Sequence, residues 1–321
     1  MKAIVHERYG RPDLLKLRDV DEPVAEADQV LVRVLASSVN PLEWYGVTGL
    51  LPARIGDGFR KPKTMSVGAD LAGRVEAIGS GVEGFRPGDE IFGAGTGAWA
   101  EYAVARTARV APKPPDVSFE AAAAAPIAGT TALQALRDHG EVKPGQKVLI
   151  NGASGGVGTY AVQLAKWLGA EVTAVCSTRN VEQAHSLGAD RVVDYTKEDF
   201  TKRAERHDLM LDIAGSRSFF EYRRVLTPEA TVVQIGGPMT YRRLGPLPHI
   251  GATLLKAKGR SQRVKFFAAK INTDDLGVLA ELLEAGTVKS VVDRRYDLGR
   301  APEALAYVGE GHARGKLVIT P

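Results

Sequence analysis

An apolar, β-branched run, Lys147-Val-Leu-Ile-Asn151, leads directly into Gly-Ala-Ser-Gly-Gly-Val-Gly158 and then into a segment with helical spacing, Thr159 to Leu168. The pattern predicts a strand, a tight turn and a helix in succession. A second such run, Glu171-Val-Thr-Ala-Val-Cys176, completes a βαβ unit. From Pro126 onward the pattern keeps alternating, with strand candidates at 147–151, 171–176, 191–193, 208–213 and 230–236, and an edge strand from Arg263 to Ala268. Such alternation predicts an α/β protein with a doubly wound parallel sheet. Residues 1 to about 125 differ: short runs such as Val30–Leu35 and Gly73–Ile78, broken by Gly and Pro, predict an all-β, barrel-like domain. Thr273 to Ala285 has helical periodicity, Lys316 to Thr320 reads as a last strand, and the C-terminus is expected to return to the first domain. The expected division is 1–125, 126–269 and 270–321.

The turn carries the most specific chemistry. Gly155 and Gly158 stand at the second and third glycine places of a G-x-G-x-x-G fingerprint, and Ala153 at the first. Ala153, Ser154, Gly155, Gly156, Val157 and Gly158 are therefore expected to wrap a dinucleotide pyrophosphate, with the helix N-terminus aimed at the phosphates. After the second strand stand Ser177, Thr178 and Arg179, where an NAD site usually has Asp or Glu. Two hydroxyls and a guanidinium suit a 2′-phosphate, which favours NADPH, although Arg179 also fits as a solvated loop residue. Ile213 and Ala214, and Ile235, Gly236 and Gly237, end later strands and are expected to border the same crevice.

Composition narrows the class. At 321 residues and 44% hydrophobic content the chain suits two soluble domains, and its one cysteine, Cys176, excludes a disulfide framework. The net charge of +4 is weak, and the basic cluster Lys256, Lys258, Arg260, Arg263 and Lys265 lacks the interleaved aromatics of a nucleic-acid surface. Neither a signal peptide nor a spanning segment is read, so a cytoplasmic protein with no nucleic-acid or membrane partner is expected.

The chain resembles the medium-chain dehydrogenase/reductase superfamily, particularly its zinc-free quinone-oxidoreductase branch and the group similar to reticulon-4-interacting protein. The resemblance rests on Ser38-Val-Asn-Pro-Leu-Glu43, Val67-Gly-Ala-Asp-Leu-Ala-Gly-Arg-Val75, Gly129-Thr-Thr-Ala132, the glycine turn, Leu187-Gly-Ala-Asp190, Asp194-Tyr195 and Gly311-His-Ala-Arg-Gly-Lys316. It implies a GroES-like β-barrel catalytic domain built from both chain ends, a Rossmann domain between them, and commonly a homodimer. Zinc-dependent relatives carry a Gly-His-Glu type motif where this chain has Gly68-Ala69-Asp70, and none of the six histidines has paired metal spacing, so no metal is expected.

Without a Lewis acid, reduction of an electrophilic quinone or α,β-unsaturated carbonyl is the expected reaction. An NADPH-binding sensor with little turnover is the alternative, because quinone-reductase residues are replaced by Glu43, Val47 and Leu51. The resemblance places Asn40 beside the nicotinamide, with a turn residue before Pro41 as the other reading. Tyr45 reads as a substrate hydrogen-bond donor or a core tyrosine. Thr130 and Thr131 are placed at the nicotinamide end, helix capping being the alternative. Tyr195 is carried over as an adenosine contact, and Phe266, Phe267, His312, Ala313 and Arg314 as nicotinamide-side residues, each with packing as the plainer role. Leu51 to Met65 reads as a long loop without regular structure, a lid or a surface excursion.

Overall fold

The structure, a computed structural model, describes residues 1–237 and 244–321. The chain forms two compact units, one of residues 1–130 with 270–321 and the other of residues 131–269.

The first unit holds strands β1 (Lys2–Val5), β2 (Lys16–Asp19), β3 (Gln29–Val39), β4 (Asp70–Ile78), β5 (Glu90–Ala94), β6 (Tyr102–Arg106) and β7 (Val110–Pro112). In this stretch lie helices α1 (Pro41–Thr48), α2 (Leu51–Asp57) and α3 (Phe119–Ala123), so the first 125 residues are not all-β. The reasons are local. Asn40 and Glu43 form a capping box around Pro41, which nucleates α1, and the Ser118 side chain caps α3. Nor is 51–65 an irregular loop throughout, because Pro52 sits in the first turn of α2 and Gly58 closes it.

The second unit holds β8 (Lys147–Asn151), β9 (Glu171–Cys176), β10 (Arg191–Asp194), β11 (His207–Asp212), β12 (Leu226–Gln234) and β13 (Arg263–Phe266). Helix α4 (Pro126–Gln134) brings the chain into it, followed by α5 (Gly156–Trp167), α6 (Val181–Ser186), α7 (Phe219–Tyr222) and α8 (Leu247–Ala257). The sheet order is β10-β9-β8-β11-β12-β13, all parallel. Strand order reverses between β8 and β11, the switch point at which such sheets bind ligands. Leu149, Met210 and Val232 are among the buried strand residues of its core, which explains why these strands read as apolar runs.

The chain then returns to the first unit as α9 (Thr273–Glu284), β14 (Val292–Asp297), α10 (Ala301–Gly309) and β15 (Lys316–Thr320). The seven-stranded sheet runs β14-β15-β3-β4-β5-β7, with β6 also on β3. Strand β3 serves two neighbours on one side: Gln29–Arg33 pair with β6, and Ser37–Val39 pair with β15. Register shifts against β4 at Leu31/Val32 and Val34/Ala36 mark where it bends.

Candidate functional site

Each unit carries a polar centre, and the two are built in opposite ways. In the parallel-sheet unit the centre is the β8 turn. Gly152 has φ +96°, a conformation that favours glycine, and it starts the turn. A Cβ at Gly158 would lie 2.1 Å from the Gly152 carbonyl oxygen, so only glycine lets α5 pack this tightly against the turn. At Gly155 the nearest atom to such a Cβ is that same oxygen at 3.8 Å, so the outer side of the turn is open. Gly155 is the N-cap of α5, and among the described residues no side chain caps the helix. The first N–H groups of the helix, from Gly156 to Gly158, have no intrahelical acceptor and point to where an anion fits. Ala153 at the first fingerprint place is buried, and Ser154, Gly156 and Val157 are half-buried.

A buried network fixes the strand ends on which this turn rests. Asp212 Oδ1 accepts from Asn151 Nδ2 at 2.8 Å, from the Gly215 N–H at 2.9 Å and from the Tyr222 hydroxyl at 3.0 Å. Asn151 ends β8 and Asp212 ends β11, so the network ties the two strands at the switch point. Ile213 and Ala214 donate their N–H groups back to the Asn151 carbonyl, and Ile235 and Gly236 donate to that of Asp212. Ile213, Ala214, Ile235, Gly236 and Gly237 are all half-buried at the C-terminal edge of the sheet.

At the end of β9, Ser177 is half-buried, while Thr178 and Arg179 are exposed. The Thr178 hydroxyl donates to Asp194 Oδ2 at 2.6 Å. That bond, and others from Thr196, hold the Asp194 carboxyl at a pKa of about 2. Sequence reading missed this carboxylate as a neighbour of the threonine, because it comes from the adjacent strand. Cys176 is buried and its thiol is pushed up to about 11, first by burial and then by Asp194, which suits a packing role. Tyr195 is 52% exposed, so it is not a core residue. Phe266 is exposed at the end of β13, and Phe267 stacks on His139 with ring centroids 4.1 Å apart. Thr131 is half-buried inside α4 rather than at a cap.

In the first unit the polar centre is closed. Asp70, fully buried, accepts at Oδ2 from Ser38 Oγ (2.5 Å), from Asn40 Nδ2 (2.9 Å) and from Lys316 Nζ (3.3 Å), and at Oδ1 from the Ile127 N–H (3.0 Å). Lys316, 3% exposed, also donates to Asn40 Oδ1 at 2.5 Å and to the Val39 carbonyl at 3.2 Å. Both ends of the Asn40 amide are thus engaged inside the protein, and the side chain braces β3, β4 and β15. Its backbone N–H donates to Glu43 Oε2 at 2.8 Å. Glu43 is pushed up to about 7, by burial first and Asp70 second, against the pull of Lys316. Its Oε1 has no partner among the described residues.

Further along α1, Tyr45 is half-buried beside Trp44, and burial raises its pKa, which keeps the phenol a proton donor. Thr130 lies within α4, fully buried, and its hydroxyl has no partner among the described residues. On the approach to β15, His312 is exposed, Ala313 packs on the core, and the Arg314 N–H donates to Asp293 at 2.8 Å. Asp70 and Lys316 were the residues hardest to find, being 246 positions apart. The available signal was a charge inside an apolar strand run, which demands a buried partner.

Among the described residues no group of three or more His, Cys, Asp and Glu side chains is placed to hold a metal ion. Residues 26–115 match the alcohol dehydrogenase GroES-like domain family, and residues 187–319 the zinc-binding dehydrogenase family. The chain is 33% identical to the chloroplastic quinone-oxidoreductase QR1 of Triphysaria versicolor, over 100% of this chain and 98% of that one. The chain belongs to the medium-chain dehydrogenase/reductase family. It is 33% identical to the human mitochondrial NAD(P)H oxidoreductase RTN4IP1, covering 99% of this chain and 89% of the relative. Identity to the chloroplastic NADPH-dependent alkenal/one oxidoreductase of Arabidopsis thaliana is 31%, over 100% and 80%. Among solved structures, the quinone oxidoreductase from Coxiella burnetii matches with a TM-score of 0.89 at 30% identity, over 100% of this chain and 99% of that one. In this family the GroES-like fold is the first unit and the Rossmann sheet the second.

Proposed function

We propose that this medium-chain dehydrogenase/reductase is an NADPH-dependent, metal-free reductase of quinones or α,β-unsaturated carbonyls. One observation carries the reading: the β8 turn is packed shut behind Gly158 and open in front of Gly155, at the N-terminus of a helix that no side chain caps among the described residues. That arrangement fits a pyrophosphate, and the relatives named as NAD(P)H- and NADPH-dependent oxidoreductases support the choice of ligand.

When bound, NADPH supplies the hydride that an electrophilic acceptor takes up. The chain's own part is to bind and orient. The N–H groups of Gly156, Val157 and Gly158 hold the pyrophosphate; Ser177 and Arg179 serve the 2′-phosphate; exposed Tyr195 serves the adenosine. Thr178 contributes less directly, since its hydroxyl is committed to Asp194. Tyr45 offers a phenolic proton to the acceptor oxygen, and Asn40 acts as a positioning residue that fixes the start of α1.

Zinc does not fit this donor set. Asp70, at the place where the family resemblance implies the acidic member of a Gly-His-Glu type motif, is paired here with Lys316 of the same chain. The acceptor must therefore be electrophilic without a Lewis acid, as quinones and enones are.

The test is NADPH consumption against a panel of quinones and enals, with binding measured separately by calorimetry. Tight binding without turnover on any acceptor would leave a sensor instead. Cofactor choice is checked by Arg179→Ala, which is expected to weaken NADPH roughly 10- to 100-fold and NADH little, since a charge-assisted hydrogen bond contributes about 1.5–3 kcal/mol. Equal loss for both would remove Arg179 from the 2′-phosphate site. A homodimer is part of the same reading, and light scattering on the purified chain decides it.

A further inference from the structure

The segment from α2 to Met65 is tied down from within, yet it displays large apolar side chains. Arg54 Nε donates to the Gly49 carbonyl at 2.7 Å, Nη1 donates to that of Phe59 at 3.2 Å, and the guanidinium lies 4.6 Å over the Tyr9 ring. The Tyr9 hydroxyl donates to the Gly58 carbonyl at 2.7 Å. Beyond the helix, the Lys63 N–H donates to the Asp57 carbonyl at 2.8 Å and the Thr64 N–H to Asp57 Oδ1 at 3.0 Å, folding the chain back. The His6 N–H then holds the Met65 carbonyl at 2.9 Å.

On this framework Ile55 is 74% exposed, Phe59 66%, Met65 54% and Leu51 38%. Leu51 and Ile55 are four apart and share one face of α2. Interleaved with them are Arg60, Lys61 and Lys63, all exposed, for which no carboxylate partner is found among the described residues. The only acid between Leu51 and Met65 is Asp57, which already accepts the Thr64 N–H.

We propose that this segment docks the protein on the surface of an anionic phospholipid bilayer. Apolar side chains that stand out from an ordered backbone and alternate with unpaired cations match the two terms of interfacial binding, apolar insertion and attraction to lipid phosphates. The charge pattern also selects among occupants. A two-fold contact with a second copy would set Arg60, Lys61 and Lys63 against a like-charged patch. A hydropathy reading along the chain looks for spans and therefore passes over such a patch; none of the described helices is long and apolar enough to cross a membrane. Docking here would bring a reductase of lipid-soluble acceptors to where they are dissolved, but the proposal stands whatever the acceptor is.

The experiment is flotation of the full chain with vesicles of phosphatidylcholine, with and without about one-third phosphatidylserine, at low and high salt. Binding is expected to the anionic vesicles only and to weaken with salt. Lys61→Gln with Lys63→Gln should lower the partition coefficient roughly 30-fold, from about 1 kcal/mol per basic residue. Ile55→Asp with Phe59→Asp should abolish flotation while leaving circular dichroism and NADPH binding unchanged, because both side chains are exposed. Absence of flotation with anionic vesicles, or flotation undiminished in the Ile55→Asp, Phe59→Asp variant, overturns the proposal. Capture of an acidic protein from a defined mixture without vesicle binding overturns it equally.

Discussion

The two polar centres invite comparison, because one is filled by the chain itself and the other is left open. At Asp70 the protein supplies its own cation, Lys316, and satisfies nearly every donor and acceptor nearby. At the β8 turn it supplies a positive helix end and, among the described residues, no side chain to satisfy it. A closed centre holds the chain's shape, and on the proposed function the open one takes a ligand. Substitutions at the first should therefore be read in stability and those at the second in affinity.

The sharpest contrast comes from splitting the buried pair. Lys316→Met leaves Asp70 unpaired inside the protein and is expected to cost about 3–5 kcal/mol in denaturant unfolding. Asp70→Asn should cost a similar amount, and the double variant less than the sum. If either single variant unfolds like the parent, the closed centre is not a structural brace.

Glu43 gives the same centre a pH signature. Its folded pKa of about 7 exceeds the ordinary value of 4.5, so the folded state binds the extra proton between those values. Stability should accordingly fall as pH rises from about 4.5 to 7 and level off above, by up to about 3 kcal/mol. Glu43→Gln, which keeps an acceptor for the Asn40 N–H, should flatten that slope and be the more stable protein at pH 8. An unchanged slope would remove Glu43 as its source.

The open centre is probed by paired glycine changes. Gly155→Ala meets no close atom among the described residues and should fold normally while weakening NADPH about tenfold or more, since on the proposed function the methyl group would take the space of a phosphate. Gly158→Ala instead runs into backbone and should destabilise by about 1–3 kcal/mol. Equal nucleotide affinity for Gly155→Ala and the parent would mean that the turn does not cradle the phosphates.

How much of this was written in the sequence differs between the two units. Strands β8, β9 and β15 occupy the spans their apolar runs predicted, because a strand buried on both faces has no polar alternation to blur its ends. The glycine turn was legible for a similar reason: its demands are local. The first unit was misread wherever the deciding partner was remote or the cue was overlooked. Asn40-Pro41 with Glu43 is a helix start by its own chemistry, and α1 follows from it. In α2, Gly56 and Pro52 conceal a helix held by Arg54 and Tyr9, contacts that no periodicity shows. The commitment of the Asn40 amide could be seen only once Lys316 was in place beside it.

The last strand has a bearing on how the polypeptide is made. Lys316 closes a bond to Val39 across 277 positions, so the amino-terminal sheet must wait until residue 316 has been translated. The parallel sheet, continuous from Thr131 to Ala269, has no such wait. It is free to fold first as it leaves the ribosome, and premature termination a few codons before Lys316 would strand a folded nucleotide module beside an unfinished neighbour with Asp70 uncompensated.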